Sequence, residues 1–169
     1  MKVQDVMTNN PRSCGPETNL AAAAVMMWDN DCGAVPVVDG EGKVLGMITD
    51  RDICIALATR HQRADDVTAG EVISRTVATC APDEDIHAAL KTMQNRQLRR
   101  LPVVDANGRL QGILSLSDIV RRAENTTGKT TTGITYEDVV TTLKAICEPH
   151  KAPLGEAESL RQAQKAAGA

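Results

Sequence analysis

The sequence predicts an α/β protein built from two copies of one strand-helix-strand-strand-helix unit, followed by a C-terminal helix. The first observation is an ungapped repeat: residues 33–53 read GAVPVVDGEGKVLGMITDRDI, and residues 99–119 read RRLPVVDANGRLQGILSLSDI, at an offset of 66. Eight of these 21 positions are identical, whereas roughly one identity is expected by chance. They are Pro36/Pro102, Val37/Val103, Val38/Val104, Asp39/Asp105, Gly42/Gly108, Gly46/Gly112, Asp52/Asp118 and Ile53/Ile119. A duplicated unit predicts paired sites.

The second observation is that the same offset extends upstream of these segments. It aligns Val6/Val72, Cys14/Cys80, Pro16/Pro82, Leu20/Ile86 and Met27/Met93. We therefore divide the chain into repeat 1 (residues 1–66), repeat 2 (67–125), a Thr- and Gly-rich linker (126–135), a helix (136–148) and a polar tail (149–169).

The elements follow the same order in each repeat. A short helical turn (3–7; 69–73) leads to an extended segment (12–14; 77–80), and a Pro with nearby Thr or acidic residues opens a helix of about three turns. A Val-rich strand (34–38; 100–104) contains a Pro, which is typical of an edge strand or a strand start. Turn residues join it in a hairpin to a second strand (43–49; 109–115), which runs into a helix beginning near Asp50 or Leu116.

The last predicted element is a helix over residues 136–147. Val139, Val140, Leu143 and Ile146 recur there at helical spacing, and such a helix needs an apolar surface to lie on.

Composition limits the class of protein. The chain of 169 residues has no Phe, one Trp and one Tyr, so aliphatic side chains must form the core. A net charge of −3 and the lack of aromatic stacking platforms argue against a nucleic-acid partner. Five cysteines without a CxxC pair indicate reduced thiols and a cytoplasmic location. The apolar run at residues 20–28 is too short to span a membrane, so we expect no membrane segment.

Three motifs recur in the two repeats. They are the leading segment at residues 3–8, answered by 72–74; the PVVD…G…G hairpin; and the closing GMITDRD and GILSLSD sequences. With these motifs the chain resembles a tandem pair of CBS domains, or Bateman module, over about residues 1–124. The resemblance implies two small sheets packed with pseudo-twofold symmetry. It also implies two clefts between the repeats, where family members bind adenosine-containing ligands.

The chemistry of the closing motifs can be argued from the residues themselves. Thr49 and Ser115 each end a strand directly before a helix, where a hydroxyl and free backbone N–H groups suit a phosphate. One turn later, Asp52 and Asp118 can accept hydrogen bonds from the two hydroxyls of a ribose. The alternative is that all four residues simply cap their helices.

The basic residues around these motifs differ between the repeats. Repeat 2 enters its first hairpin strand through Arg99 and Arg100, where repeat 1 has Gly33 and Ala34. The resemblance implies that basic residues at this entry reach ligand phosphates. Repeat 1 instead carries Arg51, where repeat 2 has Ser117, and we include both positions in the candidate site. The alternative for each Arg is a solvated surface charge.

Other candidate residues point less clearly to a function. Cys14 and Cys80 occupy equivalent positions, which predicts either two thiols near one another or near a ligand, or simply small buried side chains. Cys147 and His150 form an isolated CxxH, a weak zinc pattern. No catalytic constellation stands out, so we expect a protein that is not an enzyme.

The sequence therefore predicts a regulatory module that binds AMP, ADP or ATP and acts on an unknown partner protein. NAD and S-adenosylmethionine are further candidate ligands, and no cofactor is required. The alternative is a structural interaction module whose clefts are vestigial or occupied by a metal.

The resemblance also implies a homodimer that meets through the repeat helices. Its expected interface comprises Leu20, Ala24, Met27, Trp28, Ile86, Leu90 and Met93. The alternative is that these residues are intramolecular core, covered in part by the C-terminal helix.

Overall fold

The structure is a computed structural model that describes residues 1–73, 77–125 and 133–149. Its elements, in chain order, are a 3-10 turn (Val3–Asp5), β1 (Thr8–Asn9), α1 (Leu20–Asp29), β2 (Ala34–Val38), β3 (Val44–Thr49), α2 (Asp50–Arg60), α3 (Ala69–Val72), α4 (Ile86–Arg96), β4 (Arg100–Val104), β5 (Leu110–Ser115), α5 (Leu116–Arg122) and α6 (Tyr136–Cys147). The predicted α/β class and its duplicated hairpins are confirmed. Within the described ranges, none of these helices has the length and apolarity needed to cross a membrane.

Each repeat is organised around one antiparallel hairpin, β2–β3 or β4–β5. Gly42 and Gly108 have φ values of 81° and 79° in the two turns, a backbone conformation that favours glycine. The carboxylates of Asp39 and Asp105 accept backbone N–H bonds inside these turns. The prolines lie in β2 and β4, which are edge strands, so they remove no hydrogen bond from the middle of a sheet.

The two repeats are related by a pseudo-twofold axis that passes between the hairpin turns. The Val44 N–H donates to the Gly108 carbonyl at 3.0 Å, and the Leu110 N–H donates to the Gly42 carbonyl at 3.0 Å. These two bonds are equivalent under the offset of 66 residues. Two isolated β-bridges are related to each other by the same offset. One joins Lys2 to Asp85, and the other joins Asn19 to Thr68.

The leading strand differs from the sequence prediction. The extended segments at 12–14 and 77–80 each form a single bridge, Cys14 to Val37 and Cys80 to Val103, and are not regular strands. The strand of the leading segment is β1, which pairs with β5 of repeat 2. A Cβ on Gly112 of β5 would lie 2.9 Å from the Thr8 carbonyl, so glycine permits this close pairing.

Two hydrophobic cores result, and each is completed by the other repeat. Val3 and Val6 belong to the core of repeat 2, and Val67 and Ala69 belong to the core of repeat 1. The division at residues 66 and 67 remains a prediction, and the cores extend across it. Moving either leading segment must therefore disturb the packing of the other repeat.

Helix α6 covers α4 in repeat 2. Val139 and Ile146 join the repeat 2 core, and the Gln94 side chain donates to the Thr142 hydroxyl at 2.8 Å. His87 Nε2 lies 3.6 Å from Asp138 Oδ2. Burial alone would raise the pKa of Asp138, but hydrogen bonds from Thr135 and the charge of His87 lower it.

The expected dimer interface is wrong for most of its residues. Five of its seven members are buried within the protein, with exposures of 5% or less: Leu20, Met27, Ile86, Leu90 and Met93. They turn inward because the sheets and α6 already cover their apolar faces. Only Ala24 and Trp28 are exposed, and Trp28 is 87% exposed.

Candidate functional site

Both closing motifs form capping boxes at the start of their helices. Thr49 Oγ1 accepts from the Asp52 N–H at 3.1 Å, while Asp52 Oδ2 accepts from the Thr49 N–H at 2.9 Å. Ser115 and Asp118 make the equivalent pair of bonds at 3.3 and 2.9 Å. The capping role is therefore present in both repeats, and it engages one oxygen of each carboxylate.

The second oxygen of Asp118 has further partners. Its Oδ1 accepts from Thr8 Oγ1 at 3.3 Å and from Arg121 Nη2 at 2.5 Å. The Asp118 side chain is 4% exposed, whereas that of Arg121 is 71% exposed. A buried carboxylate is thus neutralised by a cation that lies mainly in solvent.

Asp52 has a different environment in repeat 1. It is half-buried, and no partner of its Oδ1 is recorded within the described residues. Ile55 stands where repeat 2 has Arg121 and is 48% exposed. The counterpart of Thr8 is Ser74, which lies outside the described residues, as does that end of the predicted 72–74 motif.

A cleft of about 330 Å³ lies at the Asp118 carboxylate. It is lined by Val6, Met7, Thr8, Asp118, Arg121 and Arg122. One wall comes from the leading segment of repeat 1 and the other from α5 of repeat 2, so the cleft lies between the repeats. A larger cleft of about 440 Å³ lies between α1 and α2 beside Trp28 and Cys32, and no predicted site residue lines it.

The predicted basic residues lie beside the motifs but do not line the Asp118 cleft. Arg100 is half-buried and faces Ser115 in the β4–β5 register, and the Arg99 carbonyl accepts from the Leu116 N–H at 3.0 Å. Arg51 and Ser117 are exposed on the first turns of α2 and α5. For the three arginine side chains no ion pair is recorded among the described residues.

Three polar cleft residues were missed by the sequence reasoning. They are Thr8, Arg121 and Arg122. The spacing of Asp118 and Arg121, three residues apart on a helix, is a recognisable ion-pair pattern that would have identified the arginine. Thr8 carries no comparable pattern, because it reaches Asp118 only through the exchange of leading segments.

The paired cysteines are small buried thiols, each in its own core. Burial raises the pKa of Cys14, and it raises the pKa of Cys80 to about 12. Both therefore stay protonated at neutral pH and are poor nucleophiles and metal ligands. In the parts of the chain that are described, no three His, Cys, Asp or Glu side chains are placed to hold a metal ion. The CxxH pattern ends at His150, outside the described residues.

These features define a duplicated α/β module in which two hairpin units exchange their leading segments and present paired hydroxyl-x-x-Asp motifs. The sequence profile of the CBS domain matches this chain twice, at residues 3–59 and 69–125. The chain belongs to the CBS-domain family, as a tandem pair.

Three relatives frame the comparison. Hypoxic response protein 1 of Mycobacterium tuberculosis is 31% identical over 146 residues, which cover 86% of this chain and 94% of the relative. Its crystal structure, with two coordinated zinc ions, gives a TM-score of 0.68 and covers 73% of this chain and 100% of that one.

The other two relatives were solved with adenosine compounds. The CBS domain pair of protein MJ0100, in complex with 5′-methylthioadenosine and S-adenosyl-L-methionine, is 30% identical with a TM-score of 0.65, covering 72% of this chain and 94% of that one. CBSX2 in complex with AMP is 25% identical with a TM-score of 0.63, covering 71% of this chain and 93% of that one.

Proposed function

We propose that this protein is a non-catalytic sensor that binds adenosine nucleotides, AMP above all, between its two CBS repeats. The carrying observation is the buried Asp118 carboxylate in an inter-repeat cleft that also holds two arginines. A carboxylate of this kind accepts hydrogen bonds from ribose hydroxyls, and arginine matches a phosphate. The relatives solved with AMP, 5′-methylthioadenosine and S-adenosylmethionine support the ligand class.

Within this proposal the residues have distinct roles. Asp118 and Asp52 accept hydrogen bonds from the ribose hydroxyls through Oδ1, the carboxylate oxygen that the capping box does not use. Thr49 and Ser115 hold these carboxylates in place, since each hydroxyl donates to its own Asp. Arg99, Arg100 and Arg51, with Ser117 beside the repeat 2 motif, contact the phosphates of longer nucleotides such as ADP and ATP.

The leading segments, each packed against the opposite repeat, provide a route for signalling to a partner protein. A ligand in the Asp118 cleft contacts the leading segment of repeat 1, which also completes the core of repeat 2. Occupancy therefore biases the packing between the repeats, and we propose that a partner recognises that difference. We also propose a homodimer, assembled in the cytoplasm through the exposed face of α1.

Calorimetric titration tests the function. We expect saturable binding of AMP and ATP, with NAD and S-adenosylmethionine as comparison ligands. The Asp118→Ala variant should lose about 1.5–3 kcal/mol of AMP binding free energy, because the substitution removes a charge-assisted hydrogen-bond acceptor. Replacing Arg99 and Arg100 together by Gln should weaken ATP more than adenosine. Absence of binding by all four ligands would refute the sensor.

The second candidate is an interaction module with metal-occupied clefts, which the zinc ions of hypoxic response protein 1 favour. A zinc titration run beside the nucleotides separates the two candidates. Stoichiometric zinc binding without any nucleotide binding would select the interaction module.

A further inference from the structure

The Arg121–Asp118 pair is a feature that the duplication does not repeat. Asp118 and Asp52 are matched in sequence and in capping, but three residues further along repeat 2 has Arg121 and repeat 1 has Ile55. The Arg121–Asp118 ion pair is therefore specific to repeat 2, and helix capping does not require it.

The pair occupies the acceptor that a ribose would use. Asp118 Oδ2 is engaged by Ser115, and Oδ1 is engaged by Thr8 and Arg121. A diol that enters the cleft competes with both donors for Oδ1, and it takes full use of this oxygen only when the guanidinium leaves. Arg121 is free to leave, because its side chain is 71% exposed and no other ion pair is recorded for it among the described residues.

Displacing Arg121 from Asp118 costs less free energy when the ligand has an anionic group of its own. An uncharged nucleoside replaces a charged donor on the buried carboxylate by neutral hydroxyls and leaves the guanidinium without an anionic partner. A nucleotide supplies a phosphate that can accept the released guanidinium, in a geometry that arginine fits well. The exchange then conserves the number of charge-assisted contacts.

From this arrangement we infer that Arg121 is a specificity residue, which makes the repeat 2 cleft select anionic nucleotides over uncharged nucleosides by competing for Asp118. The inference rests on the proposed adenosine site and adds a charge preference that is specific to repeat 2. It assigns no preference to the Asp52 motif of repeat 1, which has Ile55 at the matched position.

The test is an NMR titration of the full chain with AMP and, separately, with adenosine. The backbone amide signals of Met7, Thr8 and Gly112 report the repeat 2 cleft, since the first two residues line it and Gly112 pairs with the strand that contains Thr8. For Arg121→Ile we expect the preference for AMP over adenosine to fall at least tenfold. Adenosine should bind more tightly because its competitor for Asp118 is gone, whereas AMP loses the competitor and the phosphate partner together and should change little.

Three variants serve as controls. Arg96→Ile removes the same charge from an exposed position that does not line the cleft, and it should keep the parent AMP preference. Arg121→Lys keeps a cation and should retain most of that preference. Ile55→Arg leaves no buried charge unpaired, so it is informative even if Arg121→Ile folds poorly. It should give the Asp52 motif a preference for AMP over adenosine, followed through the backbone amide signals of Thr49 and Asp52.

The outcomes separate this inference from the proposed function. If neither ligand shifts any signal of the parent chain, the specificity role is overturned, and the sensor falls with it when the calorimetric titrations with ATP, NAD and S-adenosylmethionine are silent as well. If the parent binds AMP but Arg121→Ile loses AMP and adenosine affinity equally, or Ile55→Arg gains no AMP preference, the sensor stands and the role of Arg121 is refuted.

Discussion

Asp52 and Asp118 occupy the same capping position in the two repeats, but their surroundings differ. Asp118 is 4% exposed and is held by Thr8 and Arg121, while Asp52 is half-buried beside an exposed Ile55. The hydrogen bonds that start the helix are shared. The contacts of the remaining carboxylate oxygen differ between the repeats. The duplication has therefore preserved the fold of the motif more strictly than its binding chemistry.

The outer helices differ in a similar way. The face of α4 is covered by α6, with Gln94 bonded to Thr142. At the position matched to Gln94, α1 carries Trp28, which is 87% exposed. The two aromatic side chains of the chain, Trp28 and Tyr136, are both outside the cores, where an aliphatic set of side chains does the packing.

The largest expected effect tests whether the repeats are separate folding units at all. Ile48 and Leu114 are matched, fully buried core residues on β3 and β5. Replacing either by Ala should reduce the free energy of unfolding by about 2–5 kcal/mol. Because each core includes the other repeat's leading segment, we expect one urea unfolding transition in both variants, shifted as a whole.

Glu41→Ala and Asn107→Ala provide a matched, exposed control pair in the hairpin turns and should change stability by no more than about 0.5 kcal/mol. Two separate transitions, only one of them shifted by each core variant, would show that the exchanged segments do not couple the repeats.

A smaller effect sharpens the comparison of the two carboxylates. Without ligand, Asp52→Ala should cost about 0.5–1 kcal/mol of stability, because it removes one capping box. Asp118→Ala should cost about 1–3 kcal/mol, because the Ser115 N–H and the Thr8 hydroxyl lose a buried charged acceptor as well. Urea denaturation of the two variants side by side measures the difference, and equal losses would mean that burial and the Arg121 pair add nothing.

The sequence was sufficient to predict elements that depend on local patterns. The hairpins follow from Val-rich strands around Asp and Gly turns, and α6 follows from apolar residues at helical spacing. The position of β1 did not follow, because its pairing with β5 joins residues more than 100 positions apart and depends on the close approach at Gly112. Thr8 was missed for the same reason, because its contact with Asp118 is tertiary, whereas the spacing of Asp118 and Arg121 is a local pattern that could have identified the arginine.

The burial of the predicted interface residues has a related cause. A helix pattern identifies an apolar face, but it cannot distinguish a face covered by the same chain from one that meets a partner. For Ile86, Leu90 and Met93 the face is covered within the protein, and residues of α6 belong to the same core. For α1 the same pattern leaves Trp28 outside.

The smallest expected effect on stability concerns this exposed face of α1. Trp28→Gln gives repeat 1 the residue of repeat 2, and because Trp28 is 87% exposed the monomer should change in stability by no more than about 0.5 kcal/mol.

If the proposed homodimer uses this face, the parent should show a mass near twice 18.1 kDa by light scattering and the variant a mass near 18.1 kDa. The emission of this single tryptophan should also shift to the blue as the parent is concentrated, because the indole leaves water on association. Val140→Gln removes an exposed apolar side chain from α6 instead of α1 and should leave the mass unchanged. A parent mass of 18.1 kDa at every concentration would instead show that the chain is a monomer, with Trp28 a surface residue of α1.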